Sequence, residues 1–425
     1  MAGLLASYRA GRALPGPFYG NARLFELERS RIWHAGWHVV AHSSELAAPG
    51  DRVACSLAGL PVVVVRQEDG GVIAFHNVCR HRGSTVADEG AGRGPVLTCP
   101  YHRWSYGLDG SLRAAPGASP ELLAAAGGRE LLALGRLPAA ECSGLVLVSP
   151  EDDPPDLTPF AAELARQPEA AGLAGAKVAA TISYRIGADW KLVWENNREC
   201  LHCVSNHPQY VRSNYDHPRP GDPVPGGLVE FPDPAGEQWW SVTRALLRPP
   251  FLSESLDGAP VAPPLGGDGP GPRPETLRLR LVPSFWAHVS FDHAVTTRVL
   301  ATGPRTTAAV VSWLVHPAAV EGRDYELAAL LPFWQLTSEQ DWAICERQQA
   351  GVASRGYRPG PLSPTLEANI ANLHAWYLRR LGAGAPAGGD PAGGGSAGGG
   401  SAAGGGTGAP PVDRVGRFLG TEGGN

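Results

Sequence analysis

Short apolar runs separated by glycine-rich turns dominate residues 46–150 and predict a small all-β unit. Residues 61–66 and 72–75 flank Asp69-Gly70-Gly71, a typical hairpin turn. Ahead of this unit, residues 21–33 carry apolar side chains at helical spacing, which predicts an amphipathic helix.

The second half of the chain changes from alternating strand patterns to long helical ones. Residues 190–203 have helical spacing, whereas the Pro- and Gly-rich residues 218–272 are predicted to be irregular. The chain beyond residue 382 is almost entirely Gly, Ala, Ser and Pro as far as residue 409, which predicts a disordered segment. The predicted strands are 276–282, 286–292, 294–302 and 307–316, and the predicted helices are 325–351, kinked at Pro332, and 364–381.

The charge, the lengths of the apolar runs and the positions of the cysteines limit which partners and which cellular compartment are expected for this protein. The chain has 425 residues and a net charge of −5, without a Lys/Arg cluster, so nucleic acid and anionic membranes are not expected partners. No apolar run reaches the ~20 residues that span a bilayer, and no signal peptide is expected. Four of the seven cysteines (Cys79, Cys99, Cys200 and Cys203) lie within three residues of a histidine. This spacing favours metal ligation in a reducing compartment over a disulfide framework, so a cytoplasmic protein is expected.

The first group of candidate ligands consists of Cys79 and His81, followed after a spacer by Cys99 and His102. In a Rieske centre, two thiolates hold one iron of a [2Fe–2S] cluster and two imidazoles hold the other. A Cys2His2 zinc site is the alternative, but zinc fingers usually pair Cys with Cys and His with His. Because each arm here mixes the two residue types, the sequence predicts the iron–sulfur cluster.

The second group is a Glu199-x-x-His202-x-x-x-x-His207 pattern in the predicted helix 190–203 and just beyond it. Glu199 and His202 would share a helical face, and Pro208 suggests that the helix ends near His207. Two histidines with one carboxylate form the facial triad of O2-activating iron(II) enzymes. The pattern therefore predicts a mononuclear iron.

Cys79-Arg80-His81-Arg82-Gly83 and Cys99-Pro100-Tyr101-His102-Arg103-Trp104 resemble the Rieske domain of the aromatic-ring-hydroxylating oxygenase α-subunits. This resemblance, which covers roughly residues 18–381, implies an α+β fold. An N-terminal all-β Rieske domain would precede a helix-grip (START-like) catalytic domain with an antiparallel sheet and a long C-terminal helix. The expected parts are a helical segment packing on the catalytic domain at 1–45, the Rieske domain at 46–150, the catalytic domain at 151–381 and a disordered Gly/Ala-rich tail at 382–425.

In this family the metal-binding acid comes from a late helix, where the candidates are Glu339, Asp341 and Glu346. Asp341 shares a helical face with a largely uncharged stripe, whereas Glu339 should face water. The resemblance thus implies that Asp341 completes the triad with His202 and His207.

The resemblance also implies a role for the acid that precedes the first iron histidine. Glu199 matches a carboxylate that links a cluster histidine of one subunit, here His102, to an iron ligand of its neighbour, here His202, in a homotrimer. Cys200 and Cys203 look like additional ligands, but the resemblance implies that they pack in the core.

Residues 190–196, residues 199–203 and Gln340-Asp341 look most like oxygenases of quaternary ammonium compounds such as glycine betaine, proline betaine and carnitine. The resemblance implies O2- and NAD(P)H-dependent hydroxylation or oxidative N-demethylation of a small substrate. No flavin or nicotinamide motif is found, so a separate flavin/iron–sulfur reductase is expected to supply electrons.

Three alternatives remain open from the sequence. An aromatic-ring dioxygenase would share both metal centres. A Rieske electron-transfer protein would contain two irons per chain rather than three. A helix-grip ligand-binding domain would consume no O2.

Overall fold

The computed structural model describes residues 2–217, 222, 238–267, 271, 273–382 and 414–419, the last range as backbone only. The chain begins with a short helix, α1 (Ala2–Leu5), and then α2 (Ala22–Glu28), which continues into a π-helical turn, Arg29–Trp33. Asn21 caps α2, its side chain accepting hydrogen bonds from two backbone N–H groups of the first turn.

The N-terminal segment is anchored to the second domain by buried polar contacts. Glu28 accepts hydrogen bonds from Lys191 Nζ (2.7 Å) and Trp190 Nε1 (3.0 Å), while Tyr19 OH donates to Glu195 Oε1 (2.8 Å). Residues 1–45 are not wholly helical, because β1 (His38–His42) pairs with a later strand. Its five residues are all buried, so they lie between two layers rather than on one helical face.

The first domain is built of small antiparallel sheets, as its turn-rich pattern predicts. Strand orders are β1-β11-β10, β5-β2-β3-β4-β9 and β6-β7-β8, and the hairpin expected around Asp69-Gly70-Gly71 joins β3 to β4. The elements after β1 are β2 (Asp51–Leu57), β3 (Leu60–Arg66), β4 (Val72–His76), β5 (Gly90–Arg93), β6 (Leu97–Thr98), β7 (Ser105–Tyr106), β8 (Leu112–Ala114), α3 (Pro120–Ala125), α4 (Gly128–Leu131), β9 (Arg136–Leu137), β10 (Ala139–Cys142) and β11 (Leu145–Val148).

The second domain wraps helices around one antiparallel sheet of order β13-β14-β15-β16-β17-β12-β18. All four strands predicted between residues 276 and 316 are present. The elements are α5 (Thr158–Ala165), α6 (Glu169–Gly175), β12 (Lys177–Ile186), α7 (Trp190–Asn197), α8 (Cys203–Asn206), α9 (Pro208–Ser213), β13 (Trp240–Leu246), β14 (Glu275–Leu281), β15 (Phe285–Val289), β16 (Ala294–Gly303), β17 (Thr306–Val315), α10 (Leu327–Leu330), α11 (Pro332–Val352), α12 (Ala368–Arg380) and β18 (Arg414–Leu419).

The two faces of this sheet have different partners. Leu277, Leu279 and Leu281 of β14 lie in an apolar cluster with Phe160 and Leu164 of α5. The opposite face, where β16, β17 and β12 supply apolar side chains, packs against α7 and α11. This second face carries the candidate metal site.

The structure departs from the expected elements at three further places. The helix expected at 190–203 ends at Asn197, because the Glu199 carboxylate accepts the backbone N–H groups of Leu201 and His202 and holds them in a turn. The irregular stretch contains β13, whose short pattern is hidden among prolines and glycines. Residues 414–419 form β18 against β12, which offers unpaired backbone groups at the sheet edge; residues 383–413 lie outside the described residues.

The long helix expected at 325–351 is interrupted, as predicted, at Pro332, where α10 gives way to α11. Within the described ranges, none of the helices has the length and hydropathy required to cross a bilayer.

Candidate metal centres

Two similar loops carry the first group of candidate ligands. Cys79 follows β4 and Cys99 follows β6, and in each loop the backbone N–H four residues later returns to the cysteine carbonyl: Gly83 N to Cys79 O at 3.0 Å and Arg103 N to Cys99 O at 3.1 Å. Both returning residues have positive φ, +78° and +61°, which glycine adopts freely and arginine does not. The loops therefore double back over their cysteines and face each other.

The four side chains form a cradle with thiols inside and imidazoles outside. Cys79 and Cys99 are buried, whereas His81 is exposed and its ring centroid lies 4.7 Å from that of His102. His102 Nδ1 is buried without a hydrogen-bond partner among the described residues. Tyr106 OH accepts from Arg80 N (3.0 Å), leaving its proton for Cys79 Sγ at 3.3 Å.

The electrostatics of the cradle suit thiolate ligands. Burial opposes ionisation of Cys99, but the backbone N–H groups of Tyr101 and His102 hold the pKa of its thiol below the usual range. A low thiol pKa favours the thiolate, the form that binds iron. The unpartnered His102 nitrogen, the two buried thiols and the facing imidazole fit a cluster held by two cysteines and two histidines.

The second group meets at one carboxylate oxygen. His202 Nε2 lies 3.2 Å from Asp341 Oδ1, and His207 Nε2 lies 2.8 Å from the same atom. Asp341 comes from α11, while the histidines flank the short helix α8. The other two candidate acids bond elsewhere: Glu339 accepts from Gln335 Nε2 at 3.1 Å, and Glu346 accepts from Gly187 N at 2.8 Å.

The outer nitrogen of each histidine is held by a side-chain acceptor. His202 Nδ1 lies 2.5 Å from Glu199 Oε1, and His207 Nδ1 lies 2.7 Å from Gln340 Oε1. Such bonds fix the ring orientation and leave Nε2 as the ligand atom, as in many metal sites. Three donors converging in this way fit a divalent cation with two imidazoles and one carboxylate.

The charges around this site favour a cation. Burial acts against the imidazolium, but hydrogen bonds to Asp341 and Glu199 raise the pKa of His202 to about 10. The pKa of His207 is also raised, against burial, by Asp341, and the two histidines in turn hold the pKa of Asp341 below its usual range although burial opposes this. The site therefore stabilises positive charge, which a metal ion supplies when the histidines are deprotonated.

Comparison with known proteins identifies two domains. A family model described as the Rieske [2Fe-2S] domain matches residues 36–133, and one described as the ring hydroxylating alpha subunit (catalytic domain) matches residues 173–383. The glycine betaine monooxygenase oxygenase subunit of Chromohalobacter salexigens is 36% identical over 409 residues, covering 91% of this chain and 90% of that protein. The chain belongs to the ring-hydroxylating oxygenase alpha-subunit family.

Other relatives match a shorter part of the chain or have lower sequence identity. The carnitine monooxygenase oxygenase subunit of Escherichia coli (strain K12) is 36% identical over 208 residues, covering 47% of this chain and 53% of that protein. The solved structure of the quaternary ammonium Rieske monooxygenase CntA with L-carnitine has a TM-score of 0.69 at 23% identity, covering 89% of this chain and 97% of that one. This structural likeness confirms the expected fold class.

As a member of this family, the protein is the oxygenase component of a multicomponent enzyme. It is an iron-dependent oxidoreductase that carries a Rieske [2Fe–2S] cluster and a mononuclear iron. It uses O2 and electrons from NAD(P)H delivered by a separate reductase, and it acts on a small molecule.

The cysteine pair beside His202, one of the candidate iron ligands, differs from expectation. Cys200 and Cys203, expected to pack as thiols in the core, form a disulfide. The turn that ends α7 brings their Cα atoms to 5.0 Å, within disulfide range, so the reducing-compartment argument fails for this pair. Cys203 remains beside the site, with Sγ 3.8 Å from His202 Nε2.

Sequence reasoning missed two side chains that support candidate ligands. Gln340 was noted only as part of a motif, yet it holds His207 and also accepts from Gln209 Nε2 at 3.0 Å. Its position beside Asp341 was the available signal. Tyr106, which bonds Cys79, has no sequence signal, because it reaches the loop from a neighbouring strand.

A cavity opens beside the three candidate iron ligands. One wall, from β14 and β15, is polar, and the other combines α9 and α11. Besides the candidate iron ligands, its lining includes Asn197, Tyr210, Asp216, Arg278, Arg280, His288, Trp334 and Thr337.

Proposed function

We propose that this oxygenase component hydroxylates an N-methyl group of a small quaternary ammonium compound, with glycine betaine as the first candidate. Two relatives that align along 91% and 89% of the chain are named glycine betaine monooxygenase oxygenase subunits. Overall, the substrate, O2, NAD(P)H and a proton give a hydroxymethyl ammonium, water and NAD(P)+. The C–N bond of the hydroxymethyl group then breaks: its electron pair stays on the amine nitrogen, the hydroxyl loses its proton, and formaldehyde is released.

The metal ligands follow from the two side-chain groups. Cys79, His81, Cys99 and His102 would hold the cluster, and His202, His207 and Asp341 would hold the mononuclear iron. When bound, the iron supplies O2 activation, and the cluster supplies the electrons for it. The observation that carries the proposal is that both histidines direct Nε2 at one oxygen of Asp341 while their Nδ1 atoms are engaged.

Glu199 is proposed as the link to the cluster of a neighbouring copy. It bonds His202 through Oε1, and the His81 edge of the chain's own cradle is exposed at the surface. An exposed edge of the cluster site suits electron transfer to another subunit. Inter-subunit electron transfer is described for a quaternary ammonium Rieske monooxygenase of known structure. A homotrimer is therefore proposed, and the cytoplasmic location stays a prediction.

The aromatic side of the cavity supports a methylammonium substrate. Trp334 contacts His288 at 4.4 Å and Tyr210 at 5.8 Å between ring centroids, and all three line the cavity. Aromatic faces attract quaternary ammonium groups through cation–π interactions. This wall gives the methyl groups an apolar surface beside the metal site.

The proposal is tested with Asp341→Asn, which removes the shared carboxylate charge. The variant should retain the visible spectrum of the cluster, lose about one of three irons per chain, and release no formaldehyde from glycine betaine. Glu346→Gln, on the same helix, is the matched control and should keep all three irons. Full iron content with unchanged formaldehyde release in Asp341→Asn would refute the ligand assignment, and a cis-diol from an aromatic substrate without formaldehyde from betaines would refute the substrate class.

A further inference from the structure

The cavity wall opposite the candidate iron ligands carries two arginines on one face of β14. Arg278 and Arg280 alternate with the leucines of the apolar face, and both line the cavity. They are 1% and 5% exposed, so these are deeply buried cations rather than surface residues. Buried charges are retained where a partner or a ligand compensates them.

Arg278 is only partly satisfied by its protein partners. It donates from Nη1 to Asp216 Oδ1 (2.6 Å) and from Nη2 to Asn214 Oδ1 (2.9 Å), while its Nε is buried without a partner among the described residues. Asp216 also accepts from Tyr210 OH, so both of its oxygens are engaged. The Nε–H group of Arg278 therefore has no acceptor among the described residues.

Neighbouring groups on the same face are also donors. Ser241 and Thr243 of β13 stand directly opposite Arg280 and Arg278 in the strand pairing, and their hydroxyls are buried without partners in the described part of the chain. Arg280 adds a guanidinium that donates from Nε to Asn197 Oδ1 at 3.1 Å. This polar patch suits a ligand group rich in acceptors, such as a carboxylate.

The arginines share one cavity with the aromatic side chains and the candidate iron ligands. His288 stands opposite Arg278 in the β14–β15 pairing and touches Trp334, which lies seven residues, or about 10 Å along the helix, from Asp341. A betaine with one carbon between nitrogen and carboxylate spans about 5 Å from methyl to carboxylate, given bond lengths of ~1.5 Å. Because the arginines and the candidate iron ligands line the same cavity, a bound betaine can present its carboxylate to the arginines and a methyl group to the metal ligands.

We infer that Arg278 and Arg280 bind the carboxylate of the substrate and so select betaines over ammonium compounds that lack a carboxylate. This inference rests on the proposed function and adds specificity residues to it. The aromatic side chains contact the methylammonium group, and the two arginines fix the orientation of the substrate through its carboxylate. Choline and tetramethylammonium share that group but offer the arginines no anion.

The test compares glycine betaine with tetramethylammonium in the reconstituted holoenzyme, by formaldehyde release and by calorimetric binding. Arg280→Gln should lower kcat/KM for glycine betaine by roughly ten- to a hundredfold, since a charged hydrogen bond is lost, and change that for tetramethylammonium by less than about threefold. Arg278→Met with Asp216→Asn removes both members of the buried pair, avoids leaving an unpaired charge, and should give the same selective loss.

Arg244→Gln is the matched control, because Arg244 belongs to β13 but forms its ion pairs with Glu169 and Glu275. This variant should leave kcat/KM unchanged for both glycine betaine and tetramethylammonium. Equal losses for both substrates in the Arg280 and Arg278 variants, or no loss in either, would overturn the inference.

The two proposals fail in different ways. Binding of glycine betaine that depends on the arginines but gives no formaldehyde would overturn the proposed function. It would support the inference that Arg278 and Arg280 bind the carboxylate. Formaldehyde release at the wild-type kcat/KM by both arginine variants would support the proposed function. It would overturn the inference that Arg278 and Arg280 bind the substrate carboxylate.

Discussion

At the scale of single residues, the candidate iron site depends on acceptors that hold histidine rings from behind. Glu199 and Gln340 occupy the Nδ1 atoms of His202 and His207, so each ring can present only Nε2 to a metal. A ligand set chosen by residue type alone would miss this arrangement, because it depends on the tautomer that each acceptor selects.

A different histidine links the N-terminal segment to the second domain. His38 is fully buried, bonds Ser284 Oγ at 3.0 Å and Ala35 O at 3.2 Å, and stacks on Trp33. Burial lowers its pKa to about 4, below the usual value for imidazole. The folded chain therefore holds His38 neutral at pH values where the unfolded chain protonates it.

We expect His38 to make the protein acid-sensitive. Between about pH 6.5 and pH 4 the unfolded state binds the extra proton, so the free energy of unfolding should fall as the pH falls, by about 3 kcal/mol over the full window. His38→Gln should flatten this dependence. Urea unfolding followed at several pH values gives the comparison, and parallel profiles for the two proteins would contradict the prediction.

At the scale of elements, each candidate metal centre depends on the backbone conformation of short loops or turns. The turn after α7 places Glu199 beside His202, and the disulfide between Cys200 and Cys203 closes that turn. In the first domain, the two cysteine loops return through residues with positive φ. Gly83 accepts this conformation without strain, and Arg103 adopts the same conformation although it carries a Cβ atom.

Gly83→Ala should loosen the cluster. A Cβ atom at Gly83 would meet nothing within 4 Å, so the cost is the positive φ alone, about 1–2 kcal/mol. Gly70→Ala in the β3–β4 hairpin carries the same cost without a contact and is the matched control. Both variants should melt several degrees lower, but only Gly83→Ala should lose cluster absorbance faster to a chelator at 25 °C. Equal rates of loss would show that the loop does not limit cluster retention.

At the scale of the whole molecule, the proposed electron path crosses between copies of the chain. The exposed His81 edge and the bond between Glu199 and His202 are the two ends of that path, and each chain supplies one end to each neighbour. A closed ring of identical interfaces satisfies this requirement for every subunit.

Mixed oligomers test this arrangement. Cys99→Ser should abolish the cluster and Asp341→Asn the mononuclear iron, so each variant alone should be inactive. Co-expressed at equal amounts, the two should assemble rings in which about a quarter of sites combine an intact cluster with a neighbour's intact iron site. Formaldehyde release at that fraction of the wild-type rate is expected. Absence of activity in verified mixed rings would contradict transfer between subunits.

Much of the fold could be predicted because its patterns are local. The β3–β4 hairpin depends on Asp69-Gly70-Gly71, and the break between α10 and α11 depends on Pro332. Strand β13 and the end of α7 at Asn197 could not be predicted in this way. The strand owes its pairing to β14, and the helix end depends on a carboxylate that captures two backbone N–H groups.

By itself, the sequence determined the family and the two groups of candidate ligands that lie at short spacings, and the family resemblance implied the choice of Asp341. Only the tertiary structure decided that Asp341 reaches both histidines, that Gln340 and Tyr106 support candidate ligands, that Cys200 pairs with Cys203, and that buried arginines line the cavity. The physical reason is distance along the chain: more than 130 residues separate His207 from Asp341, and only the packing of α11 against α7 and α9 brings them together.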